Sequence, residues 1–135
     1  MISIRLYAPE GDIKDDNVQN TYRLALHRHN RQRLLNAIIH VESRGNPKAI
    51  NRKENAVGIL QIRPIMLRHV NRLTGSNYKL KDRYDPDKSI AMFDSLMKYS
   101  NPSYAVDTAC MLWNSGRRTR IKAVDSYIRK VVDML

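Results

Sequence analysis

One carboxylate, Glu42, stands where its surroundings would change its chemistry. Leu35, Ile38, Ile39 and Glu42 fall at i, i+3, i+4 and i+7, so the carboxyl shares a face with apolar residues if the segment is helical. Gly45 suits the C-terminal cap of such a helix and Pro47 cannot continue its hydrogen bonding, which puts Glu42 in the last turn. Burial disfavours the anion and the negative end of the helix does the same, so both raise the pKa. A carboxyl that keeps its proton near neutral pH is a general acid, able to protonate a leaving oxygen. The same spacing more commonly belongs to an interfacial Glu that snorkels to water or caps a neighbour, and periodicity alone leaves both readings standing.

Other reactive side chains offer less. His27 and His29 are two apart and point differently on a helix, while His40 and His69 lack evident partners, so no metal site is expected. The run His40, Val41, Glu42 has the spacing of a zinc deaminase motif, but with one cysteine the chain lacks the Pro-Cys-x-x-Cys that would complete it. That cysteine, Cys110, lies in an apolar helical pattern and is expected to be buried packing, with no internal disulfide. No cofactor is implied.

The elements that must position Glu42 read as a mainly α chain. Residues 1 to about 20 carry Pro9, Gly11 and an acidic cluster without periodicity and are expected to be an irregular arm. Residues 21–135 form one domain: a helix from about Thr21 to Ser43, then a loop or short hairpin around Gly58 over Lys48–Arg63. Pro64 opens a helix with Met66, Val70 and Leu73 that stops at Gly75, and a polar loop leads to Asp85. Asp85 and Pro86 start a helix bearing Ile90, Phe93 and Met97, interrupted before Pro102. A further helix is expected from about Ser103 to Ser115, burying Ala105, Ala109 and Leu112, with Gly116 as its stop. Ile121, Val124, Ile128, Val131 and Leu135 mark the last.

At 135 residues the chain can bury one sizeable core, and 24 Lys and Arg against 13 Asp and Glu give a formal charge of +11. Such a field attracts polyanions, whether nucleic acid, anionic lipid or bacterial wall polymer, and fixes the partner's sign only. The opening MISIRLYAPEGDIK places charge and Pro where a secretory signal needs an apolar run, and no later run reaches membrane-spanning length. The expectation is a chain without a secretory address of its own, which fits a phage lysis enzyme, a virion-associated enzyme, or a mature or truncated form.

Four segments carry a resemblance. IIHVESRGNPKA over residues 38–49 resembles the Glu-Ser motif of the soluble lytic transglycosylases, an apolar helix ending in Glu-Ser followed by Asn-Pro and Ala. AVGILQIRP over 56–64 looks like that family's Gly-Leu-Met-Gln-x-x-Pro segment, and MLWNSG over 111–116 resembles its Ala-Tyr-Asn-Ala-Gly turn. VDSYIRKVV over 124–132 resembles a stretch of its last helix. The resemblance spans about residues 34 to 135 and implies a lysozyme-like domain of goose type. It further implies cleavage of the bond between N-acetylmuramic acid and N-acetylglucosamine in bacterial peptidoglycan, with Glu42 as acid and then base and a 1,6-anhydromuramoyl product.

By the same resemblance Gly58 lets the backbone approach the sugar, and Gln61 bonds acetamido and hydroxyl groups. Asn114 fixes the sugar or Glu42, and Tyr127 reaches inward to hold the Glu42 carboxyl. Trp113 replaces the family's usual Tyr, keeping a flat surface for sugar stacking but exchanging a hydroxyl for an indole N–H. Asn51 stands where the family often has Ser near the acetamido group.

Two other classes compete. A hydrolytic lysozyme would need a second carboxylate to position water, and Glu54 in NRKEN (51–55) is the evident candidate, with Asp82, Asp85 and Asp87 behind it. A basic binding module would use HRHNRQR (27–33) and RRTR (117–120) to grip phosphates, although such runs are more often solvated faces. A glycan binder without activity is a third, opposed by the retained Glu42.

Overall fold

The computed structural model describes residues 16–116 and 122–135. Helix α1 runs Asp16–Ser43, strands β1 (Ile50–Asn51) and β2 (Ala56–Val57) form a small antiparallel hairpin, and helix α2 spans Pro64–Thr74. A 3-10 turn, Leu80–Tyr84, precedes α3 (Pro86–Ser100). Helix α4 (Val106–Cys110) passes directly into a π-helical turn, Met111–Ser115, and a 3-10 turn at Lys122–Val124 leads into α5 (Asp125–Asp133). The architecture is mainly α with one short hairpin, as the patterning anticipates.

Two departures have physical reasons. Helix α1 begins at Asp16, inside the stretch expected to be irregular; residues 1–15 of that arm lie outside the described residues. The N-terminal half of α1 leaves Val18, Leu24 and Leu26 exposed, so no apolar face marks its start. The β1–β2 hairpin turns over residues 52–55, and a second tight turn at Gly58 is closed by paired backbone bonds between Val57 and Ile62 at 3.3 and 3.0 Å, as expected there. The helix expected over Ser103–Ser115 is two pieces, α4 and the π turn, and Ala105 precedes it as its cap.

The core is one contiguous cluster. Leu34, Leu35 and Ile38 of α1 pack with Leu60 and Ile62, Val70 of α2, Phe93 and Met97 of α3, Leu112 and Trp113 of the π turn, and Val131 of α5. Phe93 meets Trp113 edge to face at 5.1 Å. Cys110 is free and buried, and burial pushes its thiol pKa up to about 12. The basic run 27–33 is largely committed to tertiary contacts. His27 bonds the Pro102 carbonyl at 2.9 Å, Arg31 makes a two-pronged pair with Asp94, and Arg33 reaches the Leu135 carbonyl. Arg31 and Tyr104 share Asp94, which fastens α1 to α3. The second basic run, 117–120, lies outside the described residues.

Helix starts and stops follow the side chains. Pro64 opens α2, and Gly75 ends it in a left-handed conformation. Asp85 caps α3 by accepting from the Asp87 and Lys88 backbone N–H groups at 2.9 and 3.2 Å. Replacing Asp85 by Ala removes both bonds and is expected to cost about 1 kcal/mol. The measurement is chemical denaturation, where the midpoint should fall with an unchanged slope.

Candidate active site

Glu42 reaches its place because α1 ends one residue later and the chain is fastened there. The Ser43 hydroxyl donates to the Ile59 carbonyl at 2.7 Å and accepts from the Gly45 N–H at 3.1 Å. The end of α1 is thereby locked to the segment that follows the hairpin. Beside it lies a pocket lined by Glu42, Asn51, Glu54, Gln61, Arg63, Trp113 and Asn114, together with Ala56. These come from the end of α1, the hairpin, the approach to α2 and the π turn, four stretches that the fold alone brings together.

The electrostatics at Glu42 are dominated by burial, which pushes its pKa up to about 7. The neighbouring Tyr127 hydroxyl opposes this, Glu54 adds to it as a like charge, and Arg63 counters it as an opposite one. Tyr127, from α5, is buried behind the carboxyl, and its own pKa is raised well above the usual phenol range. Its hydroxyl makes no hydrogen bond of good geometry among the described residues, yet it lies close enough to Glu42 to favour the anion. Tyr127→Phe is therefore expected to raise the Glu42 pKa further. Carbon NMR titration of the Glu42 carboxyl reads this; an unmoved midpoint would mean that the hydroxyl does not act on Glu42.

Gln61 takes a left-handed backbone conformation, φ 49°, and its amide nitrogen donates to the carbonyls of Ala49 at 3.1 Å and Gly58 at 3.0 Å. Both its N–H groups serve the protein, so what Gln61 has to offer a ligand is its acceptor oxygen. Asn51 accepts from the Glu54 N–H at 3.4 Å, shaping the hairpin turn. Asn114 is exposed, and its carbonyl accepts from the Arg63 guanidinium at 3.0 Å.

Two of the expected contact residues are engaged with the protein itself. Trp113 is 5% exposed, its indole N–H donates to the Leu60 carbonyl at 3.0 Å and Phe93 lies against its ring. Trp113 lines the pocket with little exposed surface. Gly58 is buried and outside the pocket lining. Its missing side chain serves the protein itself, since a Cβ there would lie 2.0 Å from the Arg83 carbonyl oxygen.

Three residues that sequence reasoning passed over shape the site. Ser43 is the lock already described. Arg63 sits between Gln61 and Pro64 and enters the pocket because it caps α2. Arg83 is 5% exposed and has its guanidinium against carbonyls: Nη1 donates to Asn55 at 2.8 Å and Ile62 at 2.9 Å, and Nε to Leu80 at 2.9 Å. It thus ties the hairpin turn to the segment carrying Gln61, and burial lowers its pKa. In sequence Arg83 is one more cation in a polar loop, with no signal of burial. Of the further carboxylates, Asp82 pairs with Lys88 and Asp85 caps α3, and Asp87 stands at the exposed start of that helix. Only Glu54 shares the pocket with Glu42.

Among the described residues no group of three or more His, Cys, Asp or Glu side chains is placed to hold a metal ion. None of their helices is long and apolar enough to cross a membrane. Residues 20–130 match the family described as transglycosylase SLT domain. No curated protein and no solved structure gives a significant match.

Proposed function

The chain belongs to the transglycosylase SLT domain family, and from that premise we propose that it cuts the β-1,4 bond between N-acetylmuramic acid and N-acetylglucosamine in peptidoglycan, leaving 1,6-anhydromuramoyl ends. The observation that carries the reading is the half-buried Glu42 carboxyl, with a pKa of about 7, in a pocket otherwise lined by neutral and basic groups apart from Glu54. A carboxyl in that state is protonated in a large fraction of molecules at neutral pH and returns readily from anion to acid.

In the first step Glu42 donates its proton to the glycosidic oxygen as the bond to the muramoyl C1 breaks, and the sugar's own acetamido group stabilises the electron-poor C1. In the second, the muramoyl C6 hydroxyl oxygen bonds to C1 and its proton passes to the Glu42 anion, which restores the acid. No water is consumed. Gln61, through its acceptor oxygen, and Asn51 and Asn114, through their side-chain amides, are the groups at hand to orient the acetamido and hydroxyl groups of the sugar. Arg63 offsets negative charge on Glu42 between the steps, and the nearby Tyr127 hydroxyl favours the same anion. The catalytic domain is taken as residues 21–135, and the basic surface as an aid to adhesion on anionic walls, so activity should fall as salt is added. Delivery as a phage lysis or virion-associated enzyme remains part of this proposal.

A hydrolytic reading draws on one observation, that Glu54 borders the same pocket and raises the Glu42 pKa. There Glu54 would position water on the far side of C1. Mass spectrometry of the soluble products from purified peptidoglycan separates the two. Anhydromuramoyl ends are expected; reducing muramoyl ends, lost in Glu54→Gln, would replace transglycosylation by hydrolysis.

A further inference from the structure

A buried guanidinium links two stretches of the wall of the Glu42 pocket. Arg83 is 5% exposed and among the described residues it enters no ion pair; carbonyl oxygens surround it in place of a counter-ion. One nitrogen, Nη1, donates twice, to the Asn55 carbonyl at 2.8 Å and to the Ile62 carbonyl at 2.9 Å. Asn55 is the residue after Glu54 and Ile62 the residue after Gln61, so a single NH2 group spans the two stretches that bring those side chains to the pocket. Taking a guanidinium out of water is unfavourable even when its N–H groups find acceptors, and an apolar side chain would fill the same space with less loss. General stability is thus a poor reason for an arginine here.

The tip of the hairpin depends on this link. Residues 52–55 are all exposed, so no buried side chain of theirs fixes the turn. The Glu54 N–H donates to the Asn51 side chain at 3.4 Å, a long bond, and the Asn55 backbone is left-handed, at φ 53°. Among the described residues, the hydrogen bond that joins the tip to the body of the protein is the one from Arg83 to Asn55. Arg83 is held in its turn. Its carbonyl accepts from the buried Ser89 hydroxyl at 2.9 Å, its Nε–H donates to the Leu80 carbonyl at 2.9 Å, and Gly58 passes close against its backbone. A planar guanidinium fastened in this way fixes the direction of both Nη1 bonds, which the flexible ammonium of a lysine does not.

We propose that Arg83 is a positioning residue for the pocket: by clamping the carbonyl after Glu54 to the carbonyl after Gln61, it sets how far those two side chains stand from each other and from Glu42. That the occupant is glycan rests on the peptidoglycan reading of the site; the clamp itself does not. Arg83 is outside the pocket lining, so it acts through the hairpin tip and the Gln61 segment.

The first test needs no substrate. Burial does most to raise the Glu42 pKa; Glu54 adds to it, while Tyr127 and Arg63 oppose it. Arg83→Lys keeps the charge but loses the fork, so the tip should be released, the influence of Glu54 should weaken and the Glu42 midpoint in a carbon NMR titration should fall. With Glu54→Gln already in place, the same change should move the midpoint far less. A fall of equal size in both backgrounds, or none in a folded Arg83→Lys, would overturn the proposal. The second test is cleavage of soluble glycan strands, where Arg83→Lys should raise KM by roughly tenfold and change kcat by less than about twofold. A fall in kcat at unchanged KM would also overturn it. Ser89→Ala frees the Arg83 carbonyl and leaves the guanidinium in place, so it should shift both readouts the same way by less, and it replaces Arg83→Lys if that variant does not fold. The expected titration in a protein that cuts no glycan would retain the clamp and remove the proposed reaction, and cleavage with a Glu54-independent titration would do the reverse.

Discussion

Glu42→Gln is expected to lower glycan cleavage by roughly three orders of magnitude, the scale on which a single general acid and base contributes. The amide keeps the size of the carboxyl and its capacity to hydrogen-bond, but it has no proton to give to the glycosidic oxygen and no basic oxygen to take one back. In the wild type the protonated fraction falls as pH rises through about 7, so the rate should decline along its alkaline limb around that value. The same substitution should make the protein more stable. Because the pKa rises from 4.5 to about 7 on folding, the native chain holds a proton in that window which the unfolded chain has released. Stability therefore falls as pH climbs from 4.5 to about 7, and the full penalty applies above it. Gln carries no such penalty, so above pH 7 the variant should gain on the order of 2 kcal/mol. Melting curves at pH 5 and pH 8 read this: the two proteins should differ little at the lower pH and clearly at the higher. A variant that stays active, or is less stable at pH 8, would remove Glu42 from the role assigned to it.

Gly58→Ala should be the most damaging small substitution in the chain. The backbone there has φ 83°, and the new Cβ would lie 2.0 Å from the Arg83 carbonyl oxygen and 3.1 Å from its carbonyl carbon. Neither neighbour can swing aside as a side chain would, because the Arg83 carbonyl also accepts from the Ser89 hydroxyl and its guanidinium is held by Asn55 and Ile62. The expected cost is about 4 kcal/mol or more, a fall in melting temperature of roughly 15 °C or a failure to fold. Gly75→Ala supplies the control. Its φ is 66° but nothing lies within 4 Å of the added carbon, so only the left-handed backbone is penalised, by about 1 kcal/mol. Similar losses at the two glycines would mean that the close approach at Gly58 does not exist in solution.

The helices were legible where one face had to be apolar or where an end needed a particular residue. Ile38, Val70, Phe93 and Val131 are buried as their spacing requires, and Gly75 and Asp85 end and begin helices as their chemistry requires. Glu42, Asn51, Gln61, Trp113 and Asn114 could be singled out because they stand in segments with a recognisable order, and the structure gathers them around one pocket. What could not be read were relations between distant segments. Nothing local tells that Arg83 turns inward to three carbonyls, that Trp113 spends its N–H on Leu60, or that Gly58 is small to make room for Arg83. Nor does a pattern of spacing show where α1 begins, since the exposed half of that helix has no buried face to mark it.

The π turn at Met111–Ser115 makes the length of this chain as consequential as its composition. A π turn is a helix carrying a residue more than its hydrogen bonds would otherwise need. Losing one residue there would let the segment relax into regular α-helix, which turns through nearly the same angle with one residue fewer, so the displacement would fall on the side chains within the turn itself. Trp113 would leave the Leu60 carbonyl, and the Asn114 carbonyl would leave Arg63. Substitutions across this turn are thus open to natural variation in a way that single-codon deletions are not: a deletion would yield a more regular helix and a protein without its pocket.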